Sequence, residues 1–431
     1  MSAEATGLAG IGLMVLMLAL GCPVGLAMIV VGLSGFALLI GLEPALRILE
    51  RAALETAGNP GFTVIPLFIL MGALVARAGI GRDLFAAARK VSGGRPIGLA
   101  LAGLGASAGF AAASGSSLAT ASAMARVALP EMRAAGTDLR LATGVLAAGG
   151  TLGIMIPPSI ALLLYALVME QSVGEMFLAG LIPGILGLAL YALAVLAIAP
   201  LWQPGGLAPV KTGEGAAGRG GALFALALFV FVMGGIYTGL FTPTEAAGAG
   251  AALALGLALL RGLGAREIGK AFSETVALSA TLFVILIGAE AFGYFLSVSR
   301  LAAALEGWVL EVGIGPNGLI LAIILFYLVL GYFMDSLAMI LLTVPIFAPL
   351  ATAAGFDPVW FGVLAVTAVE VGLITPPVGL NLFVVRGAAR DVPLATIWRG
   401  VAPFVLADIA RLALLVAVPG LALWLPNLLA G

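Results

Sequence analysis

Gly149-Gly150-Thr151-Leu152-Gly153-Ile154-Met155-Ile156-Pro157-Pro158-Ser159 lies inside one long apolar run, and Val371-Gly372-Leu373-Ile374-Thr375-Pro376-Pro377-Val378-Gly379-Leu380-Asn381 lies inside another. Pro157 and Pro376 are 219 residues apart. A proline has no N–H to give and clashes with the preceding turn, so neither run continues as one helix through its Pro-Pro pair. Backbone carbonyls freed beside Gly149, Gly150, Gly153 and Pro157, and beside Gly372, Thr375 and Pro376, are candidate ligands for a small cation. Two interrupted apolar segments at matched positions mark the binding region of a transporter built from repeats.

The match extends well beyond the breaks. At the same offset Ser117-Leu118-Ala119 pairs with Ser336-Leu337-Ala338, and Ala134-Ala135-Gly136 with Ala353-Ala354-Gly355. Pro130 pairs with Pro349 and Asp138 with Asp357; after a one-residue slip, Gly180 and Pro183 pair with Gly400 and Pro403. Each unit holds a span, an amphipathic stretch, a helical hairpin with a polar tip, a broken span and a further span. That is three net crossings. Two more intervene, so equivalent points are an odd number of crossings apart and the units are inverted.

Composition agrees. Of 431 residues, 62% are hydrophobic and 10% charged, against about 25% charged in soluble domains. Mean hydropathy is +1.21. A soluble enzyme is excluded, and no enzymatic activity is expected. There is no His, which removes Ser-His hydrolysis, His-bound metals and His proton relays. The one Cys, Cys22, forms no internal disulfide. A net charge of −1 without a basic patch points to no nucleic-acid partner. The 60 glycines and 23 prolines suit close helix packing and broken membrane helices. The N-terminus lacks the Lys or Arg of a cleaved signal peptide.

Apolar segments fall at about 7–20, 23–41, 62–79, 97–112, 118–134, 140–168, 176–200, 221–240, 243–262, 275–297, 317–334, 336–354, 358–385 and 401–425. Basic residues cluster at 77–95, 126–140, 211–219, 261–270 and 386–399. These clusters define the cytoplasmic side. Segments 97–134 then form a hairpin that returns to the cytoplasm, and 317–354 one that returns to the outside, facing Glu306 and Glu311. The expected organisation is N-terminal scaffold helices in 1–61, a first repeat in 62–200, a cytoplasmic linker in 201–220, a central scaffold pair in 221–274 and a second repeat in 275–425. Two spans before residue 43 place the N-terminus outside. The stretches 82–95 and 299–313 mix charged and apolar residues and read as interfacial amphipathic helices.

Ser114-Gly115-Ser116-Ser117, with Thr120 one turn on, forms the first hairpin tip, and Asp335-Ser336 the second. Amides at a helix start bind anions, while unwound carbonyls and hydroxyls bind cations. Ser114, Gly115 and Asp335 join the cation ligands. Ser116, Ser117, Thr120, Pro158, Ser159, Asp335, Ser336, Pro377 and Asn381 are the candidate substrate contacts. Asp335 also suits a helix cap. Glu370 is an acid within a span. Glu245 reads as a first-turn helix acid, and Asp408 and Arg411 as an i, i+3 pair.

The runs 110–120, 150–159, 179–184, 242–247 and 331–336, with 370–381, together resemble the large membrane subunit of TRAP transporters, the DctM-like family, over nearly the whole chain. The resemblance implies an elevator-type secondary transporter of the bacterial inner membrane, in which a transport domain bearing both hairpins moves against a scaffold. It implies Na⁺ as coupling ion and an organic acid as substrate. It further implies two partners, a small four-helix membrane subunit encoded separately and a periplasmic substrate-binding protein. A stand-alone Na⁺- or H⁺-coupled dicarboxylate carrier of related fold is the alternative; an ion channel or an intramembrane aspartyl protease fits less well.

Overall fold

The computed structural model describes residues 2–430 apart from 93–94, 204–218, 302, 305–306, 308–310, 312, 314 and 333. Lys211, Glu306, most of the expected linker and much of the charged stretch at 299–313 lie outside the described residues. Among the described residues all regular elements are helices. Eight are long and apolar enough to cross a membrane. Leu193, Leu223 and Leu406 stand exposed on them, as expected of a surface that faces hydrocarbon.

The two breaks form where the Pro-Pro pairs stand. Leu139–Thr151 runs into a short 3₁₀ turn, Leu152–Ile154, and the chain resumes as Ile160–Val168. Pro358–Ile374 ends at Thr375 and resumes as Leu380–Ala388. Both Pro157-Pro158 and Pro376-Pro377 are cis. The hairpins are Pro96–Ser114 with Ser117–Ala134, and Pro316–Leu330 with Ser336–Ala353. The all-helical fold with paired hairpins and paired breaks is therefore as the sequence predicts.

Two elements differ from the expected segments. Leu42–Gly58 is a helix that the apolar pattern does not reveal. Its polar side carries Arg47–Glu43 at 2.7 Å and Arg51–Glu55 at 2.6 Å, which are i, i+4 pairs. The final apolar segment, 401–425, is not one span: Leu394–Ala417 stops before Pro419, which has no N–H for the ladder, and Gly420–Ala430 follows.

The helices pack in two groups. The first three helices and Pro243–Leu260 lie with Val64–Arg77 and the long helix Ala265–Ser299, which is continuous across residue 274. Small residues allow this approach. A Cβ on Gly288 would lie 2.6 Å from the Gly25 carbonyl, and one on Gly25 would lie 3.0 Å from the Ile285 backbone. The second group holds the first hairpin, both broken spans, Val173–Trp202, Leu394–Ala417 and the second hairpin's Ser336–Ala353. Arg219–Tyr237 packs on Pro243–Leu260 of the first group, and Ile80–Ser92, the amphipathic helix expected near 82–95, touches both it and Pro96–Ser114 of the second.

Ion pairs unite the basic clusters on one face. Arg77 meets Glu267 at 2.7 Å, Arg261 meets Asp83 at 2.5 Å, and Arg89 meets Glu131 at 2.9 Å. Arg133 takes Asp391 at 2.7 Å, and Arg140 lies 4.9 Å from the Trp202 ring. Both ends of the first hairpin lie on this face, as a hairpin that returns to its starting side requires. Glu245 completes a capping box with Thr242, as its first-turn position predicts.

Candidate functional site: the hairpin tips and the helix breaks

The first tip is a tight turn with its hydroxyls turned inward. Gly115 has φ +63, a left-handed conformation suited to glycine, and it separates the two arms. Ser116 caps the second arm, its hydroxyl accepting from the Ala119 amide. The buried Thr120 hydroxyl donates to the Ser116 carbonyl at 2.7 Å and lies 2.9 Å from Ser114 Oγ. Two hydroxyls and a carbonyl thus converge within one turn.

This tip is pressed against the first break. The Ile160 amide donates to the Gly115 carbonyl at 3.3 Å. A Cβ on Gly115 would lie 2.5 Å from the Pro158 carbonyl, and one on Gly153 would lie 2.5 Å from the Ser116 carbonyl. All residues from 151 to 160 are buried. Ser159 is occupied as a cap: its hydroxyl donates to the Ile154 carbonyl at 2.5 Å and accepts from the Leu162 amide at 3.2 Å. Gly149 faces Ser107 on the first arm rather than the tip. Gly150 faces Ala121 and the Asn381 amide.

Asn381 brings the two repeats together. It follows the second break, yet its Nδ2 donates to Ser117 Oγ at 2.8 Å and lies 3.2 Å from the Ala147 carbonyl. Its Oδ1 is 3.1 Å from the same Ser117 hydroxyl. One buried amide therefore links the first tip, the first broken helix and the second break.

The second tip is joined to its own break through glycine contacts. A Cβ on Gly331 would lie 2.7 Å from Gly372 Cα, and one on Gly372 would lie 2.8 Å from Gly331 Cα. Asp335 is half-buried and caps Ser336–Ala353, its Oδ1 accepting from the Leu337 and Ala338 amides at 3.0 and 3.2 Å. Ser336 is buried beside it. Thr375 donates its hydroxyl to the Val371 carbonyl at 2.6 Å. Thr375 and Pro376 are half-buried and Pro377 is exposed, so the second break is more open than the first.

A cavity of about 540 Å³ runs along the second arm of the first hairpin, between the two helix groups. Ser114 and Ser116 line it at the tip, Ala119 and Ser122 along the arm, and Arg77, Arg82 and Arg126 elsewhere on its wall, with Glu274. It therefore connects the first tip with the basic face.

Five buried residues that the candidate site omits, Thr151, Tyr191, Glu370, Asp408 and Arg411, form a second polar cluster. Arg411 meets Glu370 at 2.6 Å and Asp408 at 2.9 Å, and all three side chains are fully buried. Tyr191 donates to Asp408 at 2.6 Å and lies 3.0 Å from the Thr151 hydroxyl. The Asp408–Arg411 pairing is present as the i, i+3 spacing predicts, but Glu370, 41 residues away, takes the shorter contact. The signal in sequence is three charged residues inside apolar spans; spacing alone does not join them to Tyr191.

The family description "Tripartite ATP-independent periplasmic transporter, DctM component" matches residues 11–421. The chain belongs to the DctM family of TRAP transporters. It is 35% identical over 399 residues to the C4-dicarboxylate TRAP transporter large permease protein DctM of Pseudomonas aeruginosa, covering 92% of this chain and 93% of that one. It is 34% identical over 415 residues to the sialic acid TRAP transporter large permease protein SiaM of Vibrio cholerae, covering 95% and 96%. Among solved structures, the YdaH transporter of Alcanivorax borkumensis, described as having an unusual topology, superposes with a TM-score of 0.61 at 15% identity. That comparison covers 88% of this chain and 89% of the other, and it concerns the fold alone. As a DctM component, this polytopic chain is a large permease subunit of a tripartite system.

Proposed function

We propose that this DctM chain is the translocating subunit of a Na⁺-coupled uptake system for an organic acid. It works in the bacterial inner membrane with a small four-helix subunit and a periplasmic substrate-binding protein. The observation that carries this reading is the cavity that reaches the first tip from the basic face, along the seam where the two helix groups meet. A seam of this kind allows one group to slide along the other and take its tips from one side to the other.

In this reading, the first group of helices is the scaffold and the second, with both tips and both breaks, is the moving part. Na⁺ is held by oxygens alone. Ser114, Thr120 and the Ser116 and Gly115 carbonyls supply them at the first tip, with carbonyls of Gly150, Gly153 and Pro157. Asp335, Thr375 and the Gly372 and Pro376 carbonyls supply them at the second. A hard monovalent cation prefers such oxygens, and with no His in the chain the choice of ligand is narrow. Substrate lies near Ser116, Ser117, Asn381, Ser336 and Pro377. Arg82 and Arg126 on the cavity wall favour an anion leaving toward the cytoplasm. The relatives named for C4-dicarboxylates and for sialic acid support an acidic substrate. Cation and substrate must strengthen each other's binding for uptake to be coupled, and this linkage is reciprocal.

The test is uptake of a labelled C4-dicarboxylate and of sialic acid into proteoliposomes holding this chain and its small subunit. An inward Na⁺ gradient and the binding protein are each supplied or withheld. Uptake that needs both supports the proposal. Uptake by this chain alone without Na⁺ overturns it.

A further inference from the structure

The Thr151–Tyr191–Asp408–Arg411–Glu370 chain begins at one break and ends at the other. Thr151 is the last residue of its helix before the first break. Glu370 stands two residues before Gly372, in the last turns before the second. Between them every link is short: 3.0 Å from Thr151 to Tyr191, 2.6 Å from Tyr191 to Asp408, 2.9 Å from Asp408 to Arg411 and 2.6 Å from Arg411 to Glu370. Four different helices contribute.

The surroundings are shaped around this cluster. Gly187 on Val173–Trp202 leaves room for the guanidinium, which a Cβ there would strike. The Tyr191 ring stands edge-on to Phe404 with centroids 5.5 Å apart. Trp360 Nε1 donates to the Leu415 carbonyl at 3.0 Å, fixing Pro358–Ile374 against Leu394–Ala417. Stability alone does not account for the cluster, because well-packed apolar side chains often replace a buried ion triad without loss. What the apolar replacement lacks is a run of polar contacts from one break to the other, with hydrogen bonds at Tyr191–Asp408 and Arg411–Glu370 and an ion pair between Asp408 and Arg411.

We propose that this cluster positions the two breaks relative to each other, so that a change of geometry at one is transmitted to the other. Tyr191 is the central positioning residue: it belongs to neither break and its hydroxyl joins the first break to the ionic part of the chain. Coupling between sites travels through contiguous contacts of this kind when both ends have alternative arrangements. The inference deepens the Na⁺-coupled reading and rests on it for what occupies the breaks, but its structural content is tested separately.

The experiment is amide hydrogen exchange by mass spectrometry on the full chain in lipid nanodiscs, without Na⁺, comparing wild type with Tyr191→Phe. Peptides over 152–156 and 370–375 report the two breaks, and peptides over 24–39 report an unconnected helix. Exchange about two- to ten-fold faster at both breaks, the factor given by one lost hydrogen bond of ordinary net strength, with 24–39 unchanged, is the expected result. Thr151→Ser should retain wild-type exchange and Thr151→Val should match Tyr191→Phe, with the double variant adding nothing. Acceleration confined to 152–156 overturns the proposal, as does equal acceleration everywhere. The Na⁺ dependence of uptake is then measured on the same variants. Absence of any Na⁺ dependence in wild type removes the Na⁺-coupled reading, while exchange still decides the positioning role.

Discussion

Asn381 offers the sharpest energetic prediction, because one buried side chain links the first tip to the region after the second break. Its Nδ2 sits 2.8 Å from Ser117 Oγ and 3.2 Å from the Ala147 carbonyl. Replacing Asn381 with Ala removes the partner of a buried hydroxyl, and leaving such a group unpaired costs about 1–3 kcal/mol. Ser117→Ala leaves the Asn381 Oδ1 unpaired, while Nδ2 keeps the Ala147 carbonyl, so its cost falls toward the lower end of that range. The double variant removes both groups, so neither is stranded by the other. Pairwise hydrogen-bond couplings inside membrane proteins average about 0.6 kcal/mol and reach about 1.7. The Asn381–Ser117 contact has good length and complete burial, so a coupling of about 1 kcal/mol is expected, roughly a fivefold effect on the equilibrium. The assay is a double-mutant cycle on reversible unfolding in mixed micelles, with wild type, both single variants and the double. If the double variant equals the sum of the singles within about 0.3 kcal/mol, the two side chains are energetically independent. The tip would then not be tied to the second repeat through this amide.

Three further predictions follow the same logic. Gly153→Ala places a Cβ 2.5 Å from the Ser116 carbonyl, and forcing the tip off the break should cost about 1–3 kcal/mol. Calorimetric Na⁺ titration of this variant should show weakened binding, and wild-type binding would remove Gly153 from the site. Arg411→Leu leaves Glu370 and Asp408 buried without their cation, a loss of about 3–5 kcal/mol. Adding Glu370→Gln and Asp408→Asn should restore much of it in thermal unfolding, and a triple variant no more stable than the single would refute the charge argument. The Arg133 guanidinium beside Asp391 holds that carboxyl below its usual range. The pair therefore stabilises the fold above the ordinary Asp value of about 3.9, and the contribution fades as pH falls through the lower folded value. The melting temperature of Asp391→Asn should lie below that of wild type at pH 6 and converge with it toward pH 3; a constant gap would refute the linkage.

Much of the architecture is legible in sequence because its punctuation is chemical. Pro157-Pro158 and Pro376-Pro377 interrupt apolar runs, and helices break there whatever the surroundings. Polar tips between apolar arms mark the hairpins. Leu42–Gly58 escapes because its alternating charges dilute its apolar face, and the break at Pro419 is masked by apolar residues on both sides. At the site, the approach of the first tip to the first break is foreshadowed by their glycines. The reach of Asn381 across 264 residues to Ser117 is not. The Glu370–Arg411 pairing is hidden for the same reason: an ion pair between spans depends on which helix faces crowd together, and no local spacing encodes that.

In the proposed mechanism substrate travels along the seam between the first hairpin and the scaffold, where Ala119 is exposed on the cavity wall. Cys22 is the one cysteine, so Cys22→Ser with Ala119→Cys gives a single reporter. The decisive measurement is its modification by a membrane-impermeant maleimide applied from either side of oriented vesicles. Rapid labelling from the cytoplasmic side, slowed by Na⁺ with substrate-loaded binding protein outside, is the expected result. Labelling from the outer side alone, or at a rate indifferent to Na⁺ and substrate, would contradict it.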